Sequence, residues 1–318
     1  MLGDWSGSHA DRAPPDGRFP NHALECHWLR KSVNAQPRLS TEVMAVMEGP
    51  TAHLSRRALL ATLAVGAASG RAWAAAPAAD DPWPSLATQI FDGRTIRDGS
   101  AVLAIEAPYR AEDAAVVPLS IETLSPANGA ERIHRITLVI DQNPSPLAAS
   151  FTPGANSGMR SLSTRVRVDS YTNIHVVAAT TSGQLYAVEK FVKAAGGCSA
   201  PAAKQQADSI PLGTMRFRQF SPEAGSNLWQ AQLMIRHPNY SGMQMDQISR
   251  LYVPAHFIKS VRIWQGDDLL LSIDSGISIS ENPEFRFDYQ PNGATSFRAE
   301  AVDSKGKSFQ QQWPVTRA

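Results

Sequence analysis

Trp229-Gln230-Ala231-Gln232-Leu233-Met234-Ile235-Arg236 sets the fold class of this chain. Trp229, Ala231, Leu233 and Ile235 alternate with Gln230, Gln232, Met234 and Arg236. A period of two is the pattern of a strand with one face in a core and the other in water. Downstream the theme repeats in Val261-Arg262-Ile263-Trp264, Leu269 to Ile273, Phe285-Arg286-Phe287-Asp288-Tyr289 and Phe297-Arg298-Ala299-Glu300-Ala301. Turn formers fall between them: Gln265-Gly266-Asp267, Asn282-Pro283, Pro291-Asn292-Gly293 and Lys305-Gly306.

Upstream the signals are similar. Ile136 to Ile140 and Thr164 to Val168 are β-branched or alternating, with Asn143-Pro144-Ser145-Pro146 between them. His175 to Ala179 and Leu185 to Val192 follow, joined by Thr181-Ser182-Gly183, while Leu86 to Phe91 predicts one or two helical turns. Frequent short strands broken by turns predict antiparallel β-sandwiches. Between the two strand-rich halves, residues 193–210 change character: Ser199 to Asp208 is small or polar with no apolar face to bury, so the stretch reads as a linker. Fully extended at about 3.3 Å per residue, such a stretch reaches roughly 60 Å. The expected architecture is all-β: two immunoglobulin-like antiparallel β-sandwich domains, 75–192 and 213–318, joined by a flexible arm, 193–212, that bears Cys198.

The beginning of the chain reads as an export signal. Ser55-Arg56-Arg57-Ala58-Leu59-Leu60 sets two arginines before the apolar run Ala58 to Ala68, and Ala72-Trp73-Ala74 follows as a cleavage site. The arginine pair predicts the twin-arginine route and a periplasmic protein. The apolar run is too short to span a bilayer, for which about 20 residues are needed. Residues 1–54 precede this signal as a leader, and 1–43 show no periodicity. Met44 or Met47 would give a conventional short n-region, which makes the first Met a candidate misassigned start.

Removal of residues 1–74 takes away Cys26 and leaves Cys198 as the one cysteine. An unpaired cysteine in an oxidising compartment stays free, pairs with another molecule or bears a covalent group. Gly196 and Gly197 remove side-chain bulk beside it and admit backbone shapes closed to other residues. An accessible thiol there also allows a disulfide-linked dimer. Lys193 is the nearest cation in sequence and no histidine base lies close by, which fits a carrier better than a cysteine hydrolase.

Other chemistry is scarce. With 30 basic and 29 acidic residues and a net charge of +1, nothing points to nucleic acid or a membrane surface. His134, His175, His237 and His256 lack metal-ligand spacing, so each is expected to be structural and no metal site is expected. Met243, Met245 and Asp246 read as a solvent loop, and no phosphate loop or dinucleotide fingerprint occurs.

A set of short motifs carries a family resemblance. In the first half these are Trp83, Ile90-Phe91-Asp92-Gly93, Ala111-Glu112-Asp113 with Val117-Pro118, Asn143-Pro144-Ser145-Pro146, Arg165-Val166-Arg167 and Gly196-Gly197-Cys198. In the second they are His237-Pro238-Asn239-Tyr240-Ser241-Gly242, Val253-Pro254-Ala255-His256-Phe257-Ile258, Ser278-Ile279-Ser280-Glu281-Asn282-Pro283 and Asp303-Ser304-Lys305-Gly306. Taken in order, they resemble the sulfur-oxidation (Sox) carrier, in which a Y subunit bears the substrate on a cysteine and a Z subunit pairs with it. The Y family typically ends in Gly-Gly-Cys-Gly-Gly, whereas here Ser199-Ala200 and a second domain follow the cysteine. This fused arrangement looks like the SoxYZ-like carriers associated with quinoprotein alcohol dehydrogenases.

The resemblance implies a non-enzymatic periplasmic carrier without a bound cofactor. It would hold a sulfur-containing or related intermediate on Cys198 and present it to redox enzymes or cytochromes, a quinoprotein dehydrogenase among them. The alternative is a non-covalent accessory module that docks on such a dehydrogenase system.

Overall fold

Residues 81–124, 131–201, 210–222 and 225–316 are described by the computed structural model. The leader 1–54, the export signal 55–74 and positions 202–209 of the predicted arm lie outside the described residues. The described residues form one helix, α1 (Trp83–Ile90), and fifteen strands. These are β1 (Ile96–Asp98), β2 (Leu103–Glu106), β3 (Val117–Thr123), β4 (Ile133–Ile140), β5 (Leu147–Pro153), β6 (Ser161–Val166), β7 (Thr172–Thr180) and β8 (Leu185–Val192). The second half supplies β9 (Met215–Phe220), β10 (Trp229–Ile235), β11 (Ile258–Gln265), β12 (Asp268–Ser275), β13 (Glu284–Tyr289), β14 (Ser296–Asp303) and β15 (Ser308–Pro314).

The alternating stretch is β10, and it pairs on both sides, with β13 and with β9. Ala231, Leu233 and Ile235 are buried while the intervening Gln230, Gln232 and Met234 are only half covered. The expected all-β, sandwich-type fold is present as two sheets, antiparallel throughout except where β1 runs parallel to β8. One sheet has nine strands in the order β1-β8-β7-β4-β5-β12-β11-β14-β15, and the other has six in the order β2-β3-β6-β13-β10-β9.

Both sheets run from the first half of the sequence into the second. Phe151 of β5 lies opposite Ile273 of β12, and Thr164 of β6 opposite Phe285 of β13. One buried cluster therefore draws on both halves, including Leu138, Phe151, Val166, Leu233, Ile263 and Phe285. Phe151 and Phe285 meet edge to face across the two sheets, with centroids 6.3 Å apart.

Local exceptions have local causes. Pro118 sits inside β3, where a missing N–H would interrupt a ladder. The pairing of β3 with β2 ends at Ser120, so Pro118 lies beyond its neighbour's reach and no hydrogen bond is lost. Helix α1 buries no residue fully, but Trp83 and Ile90 pack on Phe91, Val177 and Leu185. Among the described residues, no helix is long and apolar enough to cross a membrane.

Candidate functional site

The first residues of the predicted arm are seated on the protein. Lys193 pairs with the backbone of Tyr109 and Ala111, and from Gly196 to Cys198 the chain runs against the residues just beyond β6. Gly196 N–H donates to Asp169 O at 2.8 Å and Gly197 N–H to Val168 O at 2.9 Å. The Cys198 N–H reaches Asp169 Oδ1 at 3.3 Å. From the second half, the Ser241 hydroxyl donates to the Cys198 carbonyl.

Cys198 has 0% solvent exposure. The accessible thiol expected from the sequence is thus closed off in this conformation, and with it the route to a disulfide between molecules. Its two glycines serve the seat. Gly196 has φ +77°, in the left-handed region that favours glycine. At Gly197 a Cβ would stand 2.0 Å from Ala114 O and 2.6 Å from Val168 O, so only glycine lets the backbone approach this closely.

Arg167 is the buried cation behind this seat, with 0% exposure. Its Nη1 donates to Gly197 O at 3.1 Å and its Nη2 to Asn239 O at 3.5 Å, joining the cysteine segment to the second half. Asn143, from the Asn-Pro-Ser-Pro turn, fixes the backbone that carries this arginine. Its Nδ2 donates to Arg167 O at 2.8 Å and to Ser278 Oγ at 3.0 Å, and its Oδ1 accepts from Asp169 N–H at 2.9 Å.

Burial pushes the Cys198 thiol up to about 12, with Asp169 adding to the rise and Arg167 opposing it. The seated sulfur is therefore a neutral thiol, and the thiolate is the nucleophile. Arg167, too, is displaced downward by burial, against the pull of Glu281, Cys198 and Asp113. Lys193, the cation the sequence suggested, instead lies over the Tyr109 ring at 5.0 Å. In this arrangement the seat holds the thiol neutral and out of water.

Among the described residues, His175, His237 and His256 fall into two networks, while His134 Nδ1 is buried without a hydrogen-bond partner. His175 stacks on Trp83 at 3.7 Å, and its two ring nitrogens face Asp141 Oδ1 at 3.0 Å and Glu189 Oε2 at 2.9 Å. His237 and His256 come together with Asp303, a grouping that spacing along the chain could not reveal. His237 Nε2 is 3.3 Å from His256 Nε2, which is 2.8 Å from Asp303 Oδ2. Burial, then neighbouring His256, draws His237 down to about 4. Asn239 links this network to the thiol seat, since its carbonyl meets Arg167 and its Oδ1 meets His237 Nδ1 at 2.9 Å.

Sequence profiles of two families match the chain. The profile of sulfur oxidation protein SoxY covers residues 87–198 and ends on the seated cysteine; that of sulphur oxidation protein SoxZ covers 218–314. The chain is a fused SoxYZ-like carrier. Among solved structures, the sulfur carrier protein SoxY from Chlorobium limicola f thiosulfatophilum is 26% identical, with 36% of this chain and 91% of that chain covered and a TM-score of 0.30. No curated protein matches the chain. In SoxYZ terms, the thiol seat lies at the junction. The SoxY part supplies Cys198, Arg167, Asp169 and Asn143, and the SoxZ part closes over them with Asn239 and Ser241.

Proposed function

We propose that Cys198 is the point of covalent attachment in a periplasmic carrier of a sulfur-containing intermediate, exported by the twin-arginine route and served by redox partners. The observation that carries this reading is the seat itself. A single buried thiol stands at the last residue of the SoxY match, and side chains from both domains hold the backbone around it. A thiol kept neutral and dry resists oxidants, and the same enclosure would shield a sulfur adduct between visits to partners.

Loading requires the segment to leave its seat, so that the thiol ionises and a partner reaches it. Joining the outer sulfur of thiosulfate to this thiol forms the S–S bond of a cysteine S-thiosulfonate, releases the thiol proton and gives up two electrons to an acceptor. The partner that loads the carrier is accordingly an electron acceptor such as a cytochrome or a quinoprotein dehydrogenase system. The chemistry of loading falls to that partner, and the chain holds and presents the thiol.

The test is to incubate reduced protein with thiosulfate and a one-electron oxidant and to follow its mass. One adduct per chain on the Cys198 peptide, missing in Cys198→Ser with the fold unchanged, supports the proposal; an equal adduct in the variant rejects it. Closure of the thiol also favours a second reading, a non-covalent module that docks on a quinoprotein dehydrogenase. Under that reading Cys198→Ala retains full function in cells, whereas a carrier loses it.

A further inference from the structure

Three of the second-half motifs meet at one point. His237 opens the loop 237–242, His256 stands just before β11, and Asp303 ends β14. The backbone brings them together: Tyr240 and His256 exchange hydrogen bonds of 2.8 and 3.0 Å, and Ile258 lies opposite Asp303 in the β11–β14 ladder. The three side chains are 0%, 12% and 1% exposed. Their facing atoms, His237 Nε2, His256 Nε2 and Asp303 Oδ2, all lie within 4.8 Å of one another.

The remaining atoms of these side chains are already directed. Asp303 Oδ1 accepts the backbone N–H groups of Lys305 at 2.9 Å and Lys307 at 2.8 Å, which leaves Oδ2 to face the histidines. Asn239 Oδ1 accepts Ile258 N–H at 3.0 Å while its Nδ2 donates to Ile279 O at 3.3 Å, so the oxygen is turned toward His237 Nδ1. The Asn239 backbone N–H approaches the same Nδ1 at 3.1 Å. Both contacts fall on Nδ1, so Asn239 occupies that nitrogen and Nε2 is the ring atom left to face His256 and Asp303. A metal-ligating histidine carries such an outer partner on its other nitrogen.

The distances fit a small ion. The three facing atoms are separated by 3.3, 2.8 and 3.9 Å. A point in their plane lies about 2.0 Å from each, against metal–nitrogen and metal–oxygen bonds of roughly 2.0–2.2 Å for zinc. Two imidazoles and one carboxylate with no thiolate suit a borderline divalent cation. The partly exposed edge of His256 leaves a side for entry and for a fourth ligand.

We propose that His237, His256 and Asp303 form a binding site for a divalent transition-metal ion of the zinc type, with water in the fourth position. The ion ties the loop 237–242, whose Ser241 holds the Cys198 carbonyl, to β11 and β14. The inference is independent of what Cys198 carries.

The test titrates untagged full-length protein, stripped with chelator, with Zn2+ against a competing chromophoric chelator. His256→Gln and Asp303→Asn are run beside it; the second keeps an oxygen for the Lys305 and Lys307 N–H groups. The wild type binds one Zn2+ more than either variant, and variant affinity falls beyond the roughly 10–100-fold cost of losing an outer-shell partner. Co2+ then gives the intense visible bands of a tetrahedral nitrogen/oxygen site in the wild type alone, a readout that does not depend on the stability of a variant. Equal Zn2+ stoichiometry and affinity in all three proteins overturns the proposal, as does a wild-type Co2+ spectrum like that of the aqueous ion.

Discussion

Replacement of Ser241 by alanine removes the hydroxyl that holds the Cys198 carbonyl from the second domain. Within its own loop the hydroxyl also lies 2.8 Å from Gln244 Oε1 and accepts the Met243 N–H at 3.2 Å, while the residue 241 N–H still donates to Gln244 Oε1 at 2.9 Å. In the seated state the carbonyl is then buried without this donor, while in the open state water satisfies it. Leaving a buried acceptor unmade costs about 1–3 kcal/mol. At 1.36 kcal/mol per decade, the open fraction rises roughly 5- to 150-fold. When reclosing outpaces modification, the alkylation rate of the Cys198 peptide by N-ethylmaleimide reports that fraction directly. Ser241→Ala should accelerate it by this factor at neutral pH, with an unchanged circular dichroism spectrum and a melting temperature lowered by the few degrees that a loss of about 1–3 kcal/mol implies. A rate within twofold of the wild type would show that Ser241 does not hold the seat closed and would refute the reasoning.

Three other outcomes follow from the same seat. Gly197→Ala places a Cβ 2.0 Å from Ala114 O, so the segment cannot reseat, and Cys198 should alkylate at the rate of an exposed cysteine while the sheets still melt cooperatively. Truncation of Arg167 to alanine strips donors from the buried Gly197 and Asn239 carbonyls and should lower stability by roughly 3 kcal/mol in urea titration, the size of a lost charged hydrogen bond. The pH dependence has a definite sign. The seated thiol is raised to about 12, so closure is at full strength below the open thiol's ordinary value of about 8.5 and weakens as pH climbs toward 12. Log alkylation rate should therefore keep rising by about one per pH unit above pH 9; a plateau near pH 8.5–9, as for an exposed thiol, would contradict the burial.

Much of the fold was legible because strand burial is written at period two. The alternation at Trp229 to Ile235 and the run Leu185 to Val192 mark β10 and β8, and the turns at Gly183, Gly266 and Gly306 separate the pairs that the structure joins. Strands of small or polar residues were silent. β5 reads Leu-Ala-Ala-Ser-Phe-Thr-Pro and β15 holds three consecutive glutamines, so their place in the sheet comes from neighbours and not from their own pattern. Period also reports which face is buried but never which strand lies alongside. The β5–β12 and β6–β13 pairings that carry both sheets across the halves are long-range facts.

The candidate site was legible in part for the same reason. The Gly-Gly-Cys segment stood out in composition, but the residues that bury it are Arg167, 31 positions before, and Ser241, 43 after. Small residues around a cysteine look alike whether they loosen a chain or let it lie close to another backbone. Only the contacts of Gly197 with Ala114 and Val168 distinguish the two. His237, His256 and Asp303 each sat in a noticed motif, yet their convergence depends on the Tyr240–His256 bridge and the β11–β14 register.

The most direct measurement is the intact mass of the protein taken from its native cells, with and without reductant. The carrier account predicts a reductant-labile increment on the peptide containing Cys198, absent from Cys198→Ser. A thiol that is unmodified in cells, and stays unmodified after exposure to sulfur donors and an oxidant, would contradict it.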